Sequence, residues 1–487
     1  MSLRELSDRF SRFLTKAGYF ELTEALFLRL LGLIYIAAFG SYWPQVIGLI
    51  GSHGIEPVAP LLPAVRSELG ARAFFEIPTL LWLQASDGAL VCFCIVGCLA
   101  GLLLSLGLFS RLSAAVCWAL YLSIVSVGQP FTSFQWDALL LESGFLALFA
   151  GAPWLVWGYR FLLFRLMFES GTVKLLSHDP NWRNLHALRF HFMTQPLPNP
   201  IAYYVYRAPT WLVDGMTAAT LAIEVGAPFL LFCPRVLRYI GVALLMFLQV
   251  LILLTGNYAF FNLLSLALCL WALDDRAFAP LAPVLRKTWP KIHMSESLRV
   301  RILRPASNIA VLVLIALGAI QLADMFAPRP QMLARMPLGF VAPLEIVNRY
   351  GLFAVMTTTR PEIVLEGSND QTTWREYSFR YKPGELHRAL PLVAPYQPRL
   401  DWQMWFAALG SMQENRWVAN LMYRLMVGEP TVIALLDPPP FANPPHYMRA
   451  LLYKYDFTMP SERARTGAVW RRELLGPWFG PVSLTGH

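Results

Sequence analysis

Residues 153–176, PWLVWGYRFLLFRLMFESGTVKLL, decide what kind of protein this is. The run has the length and apolar content of a helix that crosses a bilayer, about 20 residues. It nevertheless carries Arg160, Arg165, Glu169 and Lys174. A charge in hydrocarbon costs about 3 kcal/mol or more, so charged residues in spans face the bundle interior and find partners there. Arg165 and Glu169 stand four apart on one side of a helix, where each neutralises the other. Arg160 lies about 40 degrees from Lys174 around the helix. Asp137 and Glu142 in the apolar run before, and Glu224 in the run after, need cations of their own. The pattern predicts an interior polar network of Asp137, Glu142, Arg160, Arg165, Glu169 and Glu224 that joins three consecutive spans and holds the bundle together. Lys174, near the outer end of its span, is expected to snorkel toward the headgroups, with a structural ion pair as the alternative.

Around this helix the rest of the chain has the same character. Of 487 residues, 56% are hydrophobic and 15% charged, with a mean hydropathy of +0.47. The fold class this implies is a polytopic α-helical membrane bundle. Runs of spanning character lie near 26–49, 89–109, 112–127, 134–151, 154–177, 211–233, 236–255, 258–273 and 307–326, nine in all, the third and eighth short. The net charge of +9 does not indicate nucleic acid, because the basic residues cluster between spans, where they set orientation. Arg4, Arg9, Arg12, Lys16, Arg111, Arg235 and Arg238, with seven more in 274–306, fall on one side. Residues 1–24 are thus expected as a cytoplasmic amphipathic segment, followed by a bundle of about eight spans over 25–273, a basic cytoplasmic linker over 274–306 and a last span over 307–326. Residues 327–487 then lie outside. All six cysteines sit in apolar segments, so no disulfide framework is expected. The absence of Asn-x-Ser/Thr points to a bacterial inner membrane.

The outer part reads as β. GLFAVMTTT, PEIVLEGS and TWREYSFRYK are short β-branched and aromatic runs with a SNDQTT turn between the last two. A helix is expected over 402–427, and after the proline-rich DPPPFANPP the segments HYMRALLYKYDFT and AVWRRELLGPWFG return to strand character. A small β-sandwich is the expected result, its first hairpin similar in shape to discoidin-like sandwiches. Trp402, Trp405 and Phe406 sit beside Asp401 and the polar PYQPRLD, so they are either core rings, the commoner case, or the candidate aromatic anchors for a client protein. No Gly-rich phosphate loop, nucleophile elbow or metal quartet is present, and neither cofactor nor metal is expected.

Long irregular strings also carry a resemblance. FQWDALLLESGFLALFAGAP (134–153), FRLMFESGTVKLLSHDPNWRNLHAL, HFMTQPLPNPIAYY, LTGNYAFFNLL (254–264) and NRYGLFAVMTTTRPEIVLEGSNDQTTWREYSFRYKPGEL with APYQPRLDWQMWFAALG resemble the lipase maturation factor family, in order and over most of the chain. That resemblance implies a membrane protein whose outer domain engages exported client proteins, lipases among them, while they fold, with membrane lipids as its other partner. A second resemblance is local: Ser170-Gly171-Thr-Val-Lys174 and Asp179-x-x-Trp182 look like the corresponding stretch of vitamin K-dependent γ-carboxylases. It implies the rival reading, an integral membrane enzyme acting on a lipid or quinone-like cofactor with Lys174 as catalytic base. Paired halves with Gly- or Pro-broken spans, expected of a transporter, are not seen.

Overall fold

A computed structural model describes residues 20–280, 298–327 and 337–484. The basic N-terminal cluster and Arg286, Lys287 and Lys291 of the linker lie outside the described residues. Helices stand at all nine expected positions: α1 Glu21–Tyr42, α2 Asp87–Leu106, α3 Ser110–Val125, α4 Gln135–Ala147, α5 Leu155–Leu176, α6 Thr210–Gly226, α7 Arg235–Thr255, α8 Phe261–Cys269 and α9 Leu298–Asp324. Tighter turns, Ala227–Phe232 and Leu270–Ala272, extend α6 and α8. Five are long and apolar enough to cross a membrane: α1, α2, α6 with its extension, α7 and α9 from Arg304. The last helix begins nine residues before the expected start of its span and continues through Pro305.

Burial explains why the other helices are different. α4 is 13 residues long, about 20 Å, and α3 and α8 are short too. Ten residues of α4 are buried, Asp137 and Glu142 among them. α5 contacts α4, α6, α8 and α9, and it buries Arg160, Arg165, Glu169 and Lys174. The charged helices therefore occupy the middle, and the apolar candidate spans face outward on their far sides, with only 22 to 56% of each window buried. Polarity runs inside out relative to a soluble bundle, as a bilayer solvent requires.

The C-terminal part holds one antiparallel sheet in the order β2-β1-β3-β4, with β1 Arg360–Ser368, β2 Arg375–Tyr377, β3 Tyr447–Phe457 and β4 Trp470–Ser483. Asp370 builds the β1–β2 turn by accepting the Thr372 and Thr373 amides at 2.8 and 2.7 Å, and these bonds hold its carboxyl far below the ordinary range. The expected sandwich is met in part, because among the described residues no second sheet faces this one. Helix α10, Arg399–Ala408, packs on β1 in its place. Eight of the nine β1 residues are buried, the pattern of a strand covered on both faces. The single helix expected over 402–427 is two, α10 and α11 (Trp417–Met426), separated at Gly410-Ser411, where the Ser411 amide bonds the Glu414 carboxylate at 2.8 Å. GLFAVMTTT is irregular, for reasons its contacts supply below. β4 is an edge strand, blunted by Pro477, Pro481 and three register shifts against β3, so it is a poor template for pairing with another chain.

Candidate functional site

The sequence places its charges on the bundle and its aromatic anchors on the C-terminal part, and the structure brings the two sets together in a buried seam. One hydrophobic core runs through both, from Phe27 and Tyr35 to Trp402, Leu421 and Ala450.

Arg165 forms the first joint. Its Nη1 donates to Glu142 at 2.7 Å and its Nε to Glu169 at 3.3 Å. Nη2 donates to the Asn348 carbonyl, in the segment that follows α9. The same segment returns donors to both acids. Glu142 accepts the Asn348 amide at 2.9 Å and the Tyr350 hydroxyl at 2.7 Å, and Glu169 accepts the Tyr350 amide at 2.8 Å. Each guanidinium nitrogen donates a bond and all four carboxylate oxygens accept one, which is what makes a buried charge cluster tolerable. Gly318 of α9 makes room for it, since a Cβ there would lie 2.7 Å from Arg165 Nη1. At the rim of this joint Glu345 is pushed up to about 7 by burial and by the neighbouring Glu142 and Asp137.

Arg399, at the start of α10, forms the second joint. Its guanidinium grips Asp137 of α4 with two bonds, 2.8 and 2.9 Å, and reaches the Phe131 carbonyl at 2.6 Å and the Tyr121 hydroxyl at 3.2 Å. Gln45, just past α1, accepts the Arg399 amide at 2.9 Å and donates to the Gln397 carbonyl at 2.8 Å. Beside it, Trp402 stands edge-on to Trp136 at 4.7 Å, and the Trp405 indole N–H bonds the Thr194 carbonyl at 2.8 Å.

Further joints use single polar side chains. Asn257 of the 254–264 motif donates to the Pro391 carbonyl at 3.0 Å and accepts the Val393 amide at 2.8 Å. Arg360, wholly buried, donates to the Met193 and Pro196 carbonyls at 2.8 and 2.7 Å and pairs with Glu362. Asp179 accepts the Met356 amide at 2.6 Å, and Trp182 donates to the Phe353 carbonyl at 2.9 Å. These two bonds, with Tyr350 and Asn348, occupy the backbone of 348–356, which explains why GLFAVMTTT is not a strand.

Several expectations need correction. Lys174 does not snorkel. It is buried, its Nζ 2.6 Å from Glu224 and 5.0 Å from the centre of the Trp182 ring. Gly171 permits this, because a Cβ there would lie 2.8 Å from the Glu224 Cβ, so α6 approaches α5 closely one turn before Lys174. Lys174 is thus held between the Glu224 carboxylate and the Trp182 ring. Arg160 does not join the acids; its Nε donates to the Trp271 carbonyl at 2.8 Å and its guanidinium lies over the Trp157 ring. Asp137 pairs with Arg399 and accepts the Tyr121 hydroxyl of α3, and it does not meet the arginines of α5. Trp402 and Trp405 are 2% and 5% exposed and so are core residues, while Phe406 is 43% exposed. Among the described residues no three His, Cys, Asp or Glu side chains group as a metal site.

Sequence reading missed Arg399, Gln45, Arg360, Asn348 and Tyr350. Arg399 and Gln45 could have been suspected, since each is a polar residue pressed between aromatic runs (SYWPQVIGL and YQPRLDWQMW). Asn348 and Tyr350 carry no such signal, because their role rests on backbone groups.

The seam links the two regions that family comparison recognises. The model described as Lipase maturation factor transmembrane domain matches residues 22–280, and that described as Lipase maturation factor C-terminal domain matches 346–480. This chain belongs to the lipase maturation factor family. It is 34% identical to Lipase maturation factor 1 of Bos taurus, over 99% of this chain and 92% of the relative. To Lipase maturation factor 2 of Homo sapiens it is 36% identical, over 95% and 83% of the two chains. No solved structure matches it. Membership extends to both sides of the seam, and Asp137, Glu142, Arg165 and Glu169 lie in the region matched to the membrane domain while Asn348, Tyr350 and Arg399 lie in that matched to the C-terminal domain.

Proposed function

We propose that this protein is a membrane-embedded lipase maturation factor that assists exported lipases as they fold, presenting its C-terminal part on the outer side of the membrane. The observation that carries the reading is the near full-length likeness to proteins named lipase maturation factors, through both matched regions.

Orientation and span number rest on charge and geometry. If each of the nine helices crosses once, the starts of α3 and α7, with Arg111, Arg235 and Arg238, fall on the cytoplasmic side with the N-terminus. The joints described above involve Gln45, the 121–142 region, α5 from its middle onward, 179–196 and Asn257, toward the opposite ends. Short α4 and α8 can cross because the neighbouring helices shield their ends.

For client contact, Phe406 replaces the trio of aromatic anchors. It is the exposed ring of the three, and Leu409 beside it is also 43% exposed. Anchor residues at interfaces typically cost about 2 kcal/mol or more of binding when truncated. The double substitution Phe406→Ser, Leu409→Ser is expected to reduce lipase co-purification with the full chain about thirtyfold, with an unchanged melting temperature. Trp402→Ala is expected to lower the melting temperature, because it removes a packed core ring. Undiminished lipase capture by the double variant would move the client surface elsewhere.

A further inference from the structure

Among the described residues, two arginines, Arg207 and Arg463, pair with no carboxylate. Arg207 lies just before α6, and its guanidinium sits 3.7 Å from the centre of the Tyr203 ring. It donates to the carbonyls of Tyr203 and Thr458, and its Nε is buried without a partner. Arg463, in the helix Pro460–Thr466 of the C-terminal part, lies 4.5 Å from the centre of the same ring. Two like charges thus converge on one aromatic side chain. Burial and the nearby Arg463 both push the Arg207 guanidinium below its ordinary range. Arg465 and Arg471 stand exposed in the same part of the chain. Of the acids in these segments, Asp456 already pairs with Lys454 at 3.5 Å and Glu462 precedes Arg463.

The height of this cluster relative to a bilayer is fixed by two candidate spans. α6 begins at Thr210, three residues after Arg207, and α7 ends at Thr255, whose neighbour Leu254 gives its carbonyl to Asn199 at 2.9 Å. Asn199 caps the helix Pro200–Val205 that carries Tyr203. Tyr204 and Trp211 are 67% and 73% exposed, the placing of aromatic residues at a membrane–water boundary. The Tyr203 hydroxyl bonds the Thr458 carbonyl at 3.0 Å, so the Pro460–Thr466 helix is held at the same level.

We propose that Arg207 and Arg463, converging on the Tyr203 ring at headgroup level, bind the phosphate of an anionic bilayer phospholipid and so hold the C-terminal part against the membrane surface. Guanidinium groups suit a phosphodiester because they donate paired, charge-assisted bonds to its oxygens. A net anionic headgroup is preferred to a zwitterionic one because the choline or ethanolamine cation would meet the same arginines.

The test uses the full chain in detergent, with binding of phosphatidylglycerol measured by native mass spectrometry against phosphatidylcholine and inorganic phosphate as separate probes. Arg463→Gln, a partly exposed position, is expected to weaken phosphatidylglycerol binding about fivefold, the worth of one basic side chain at an anionic surface, at an unchanged melting temperature. Arg465→Gln is expected to have a smaller effect, because it does not share the ring. Preference for phosphatidylglycerol over both other probes, lost in Arg463→Gln, supports the site. Equal binding of phosphatidylglycerol and phosphatidylcholine, or identical binding by Arg463→Gln, overturns it. Displacement of the lipid by millimolar inorganic phosphate overturns the lipid assignment and leaves a site for free anions. Lipase capture is read in the same samples, so loss of lipid binding with intact capture separates this site from the client surface.

Discussion

Arg399→Met is expected to leave the protein unable to accumulate as a folded membrane protein. The substitution keeps most of the volume but strands Asp137, which is fully buried and holds its cation through two bonds. Removing one partner of a buried pair costs about 3–5 kcal/mol, because the other charge is left without compensation. The Phe131 carbonyl loses a donor as well. The companion variant Asp137→Asn, Arg399→Met removes both charges and is expected to recover much of the loss, since the desolvation cost disappears with the pair. Thermal unfolding in detergent and the level of folded protein in membranes measure both. Equal stability of Arg399→Met and the wild type would mean that this joint does not hold the two parts together.

A loss at least as large is expected for Arg165→Met, which strands Glu142 and Glu169 together. With the guanidinium gone, two carboxylates share a buried space closed by Tyr350 and Asn348, and their mutual repulsion adds to the desolvation of each. Glu142→Gln, Arg165→Met, Glu169→Gln is expected to fold better than Arg165→Met alone, because neutral amides can still accept from the Tyr350 and Asn348 amides. The comparison also separates structure from chemistry. If the triple variant folds and still matures lipase, the cluster serves as a joint. If it folds but has lost all lipase maturation, the charges take part in the function directly.

Why these clusters were only partly legible follows from what periodicity can carry. A period of 3.6 places Arg165 and Glu169 on one face of α5, and an apolar run places Glu142 in a helix nearby. Hydrophobic length located all nine helices, and the strand character of PEIVLEGS, HYMRALLYKYDFT and AVWRRELLGPWFG located β1, β3 and β4. Periodicity does not say which distant segment reaches a buried charge. Asp137 and Arg399 are 262 residues apart, and Glu142 and Asn348 are 206 apart. Lys174 sits near the end of a span and so looks free to snorkel; its burial depends on the close approach of α6 at Gly171, which is a tertiary fact. Trp402 and Trp405 take the core role that the run also allowed, and the anchor reading arose for a related reason. An aromatic run beside a polar segment looks like an exposed anchor when the outer part is pictured as a separate domain, yet here the polar segment is itself buried against the bundle.

The joined body gives a physical reason for coupling membrane and client. A domain on a flexible tether pays for its orientation each time it binds, whereas a part keyed into the bundle is held in one orientation relative to it. The proposed lipid contact at Arg207 and Arg463 would work to the same end.

The most direct measurement of this account divides the chain. In cells lacking a lipase maturation factor and expressing a secreted lipase, the full chain is compared with residues 337–487 carried on an unrelated single span. The account predicts active lipase from the full chain and none above background from the carried fragment, because Arg399, Arg360 and the 348–356 backbone lose their partners on the bundle. Lipase activity from the carried fragment equal to that from the full chain would contradict it.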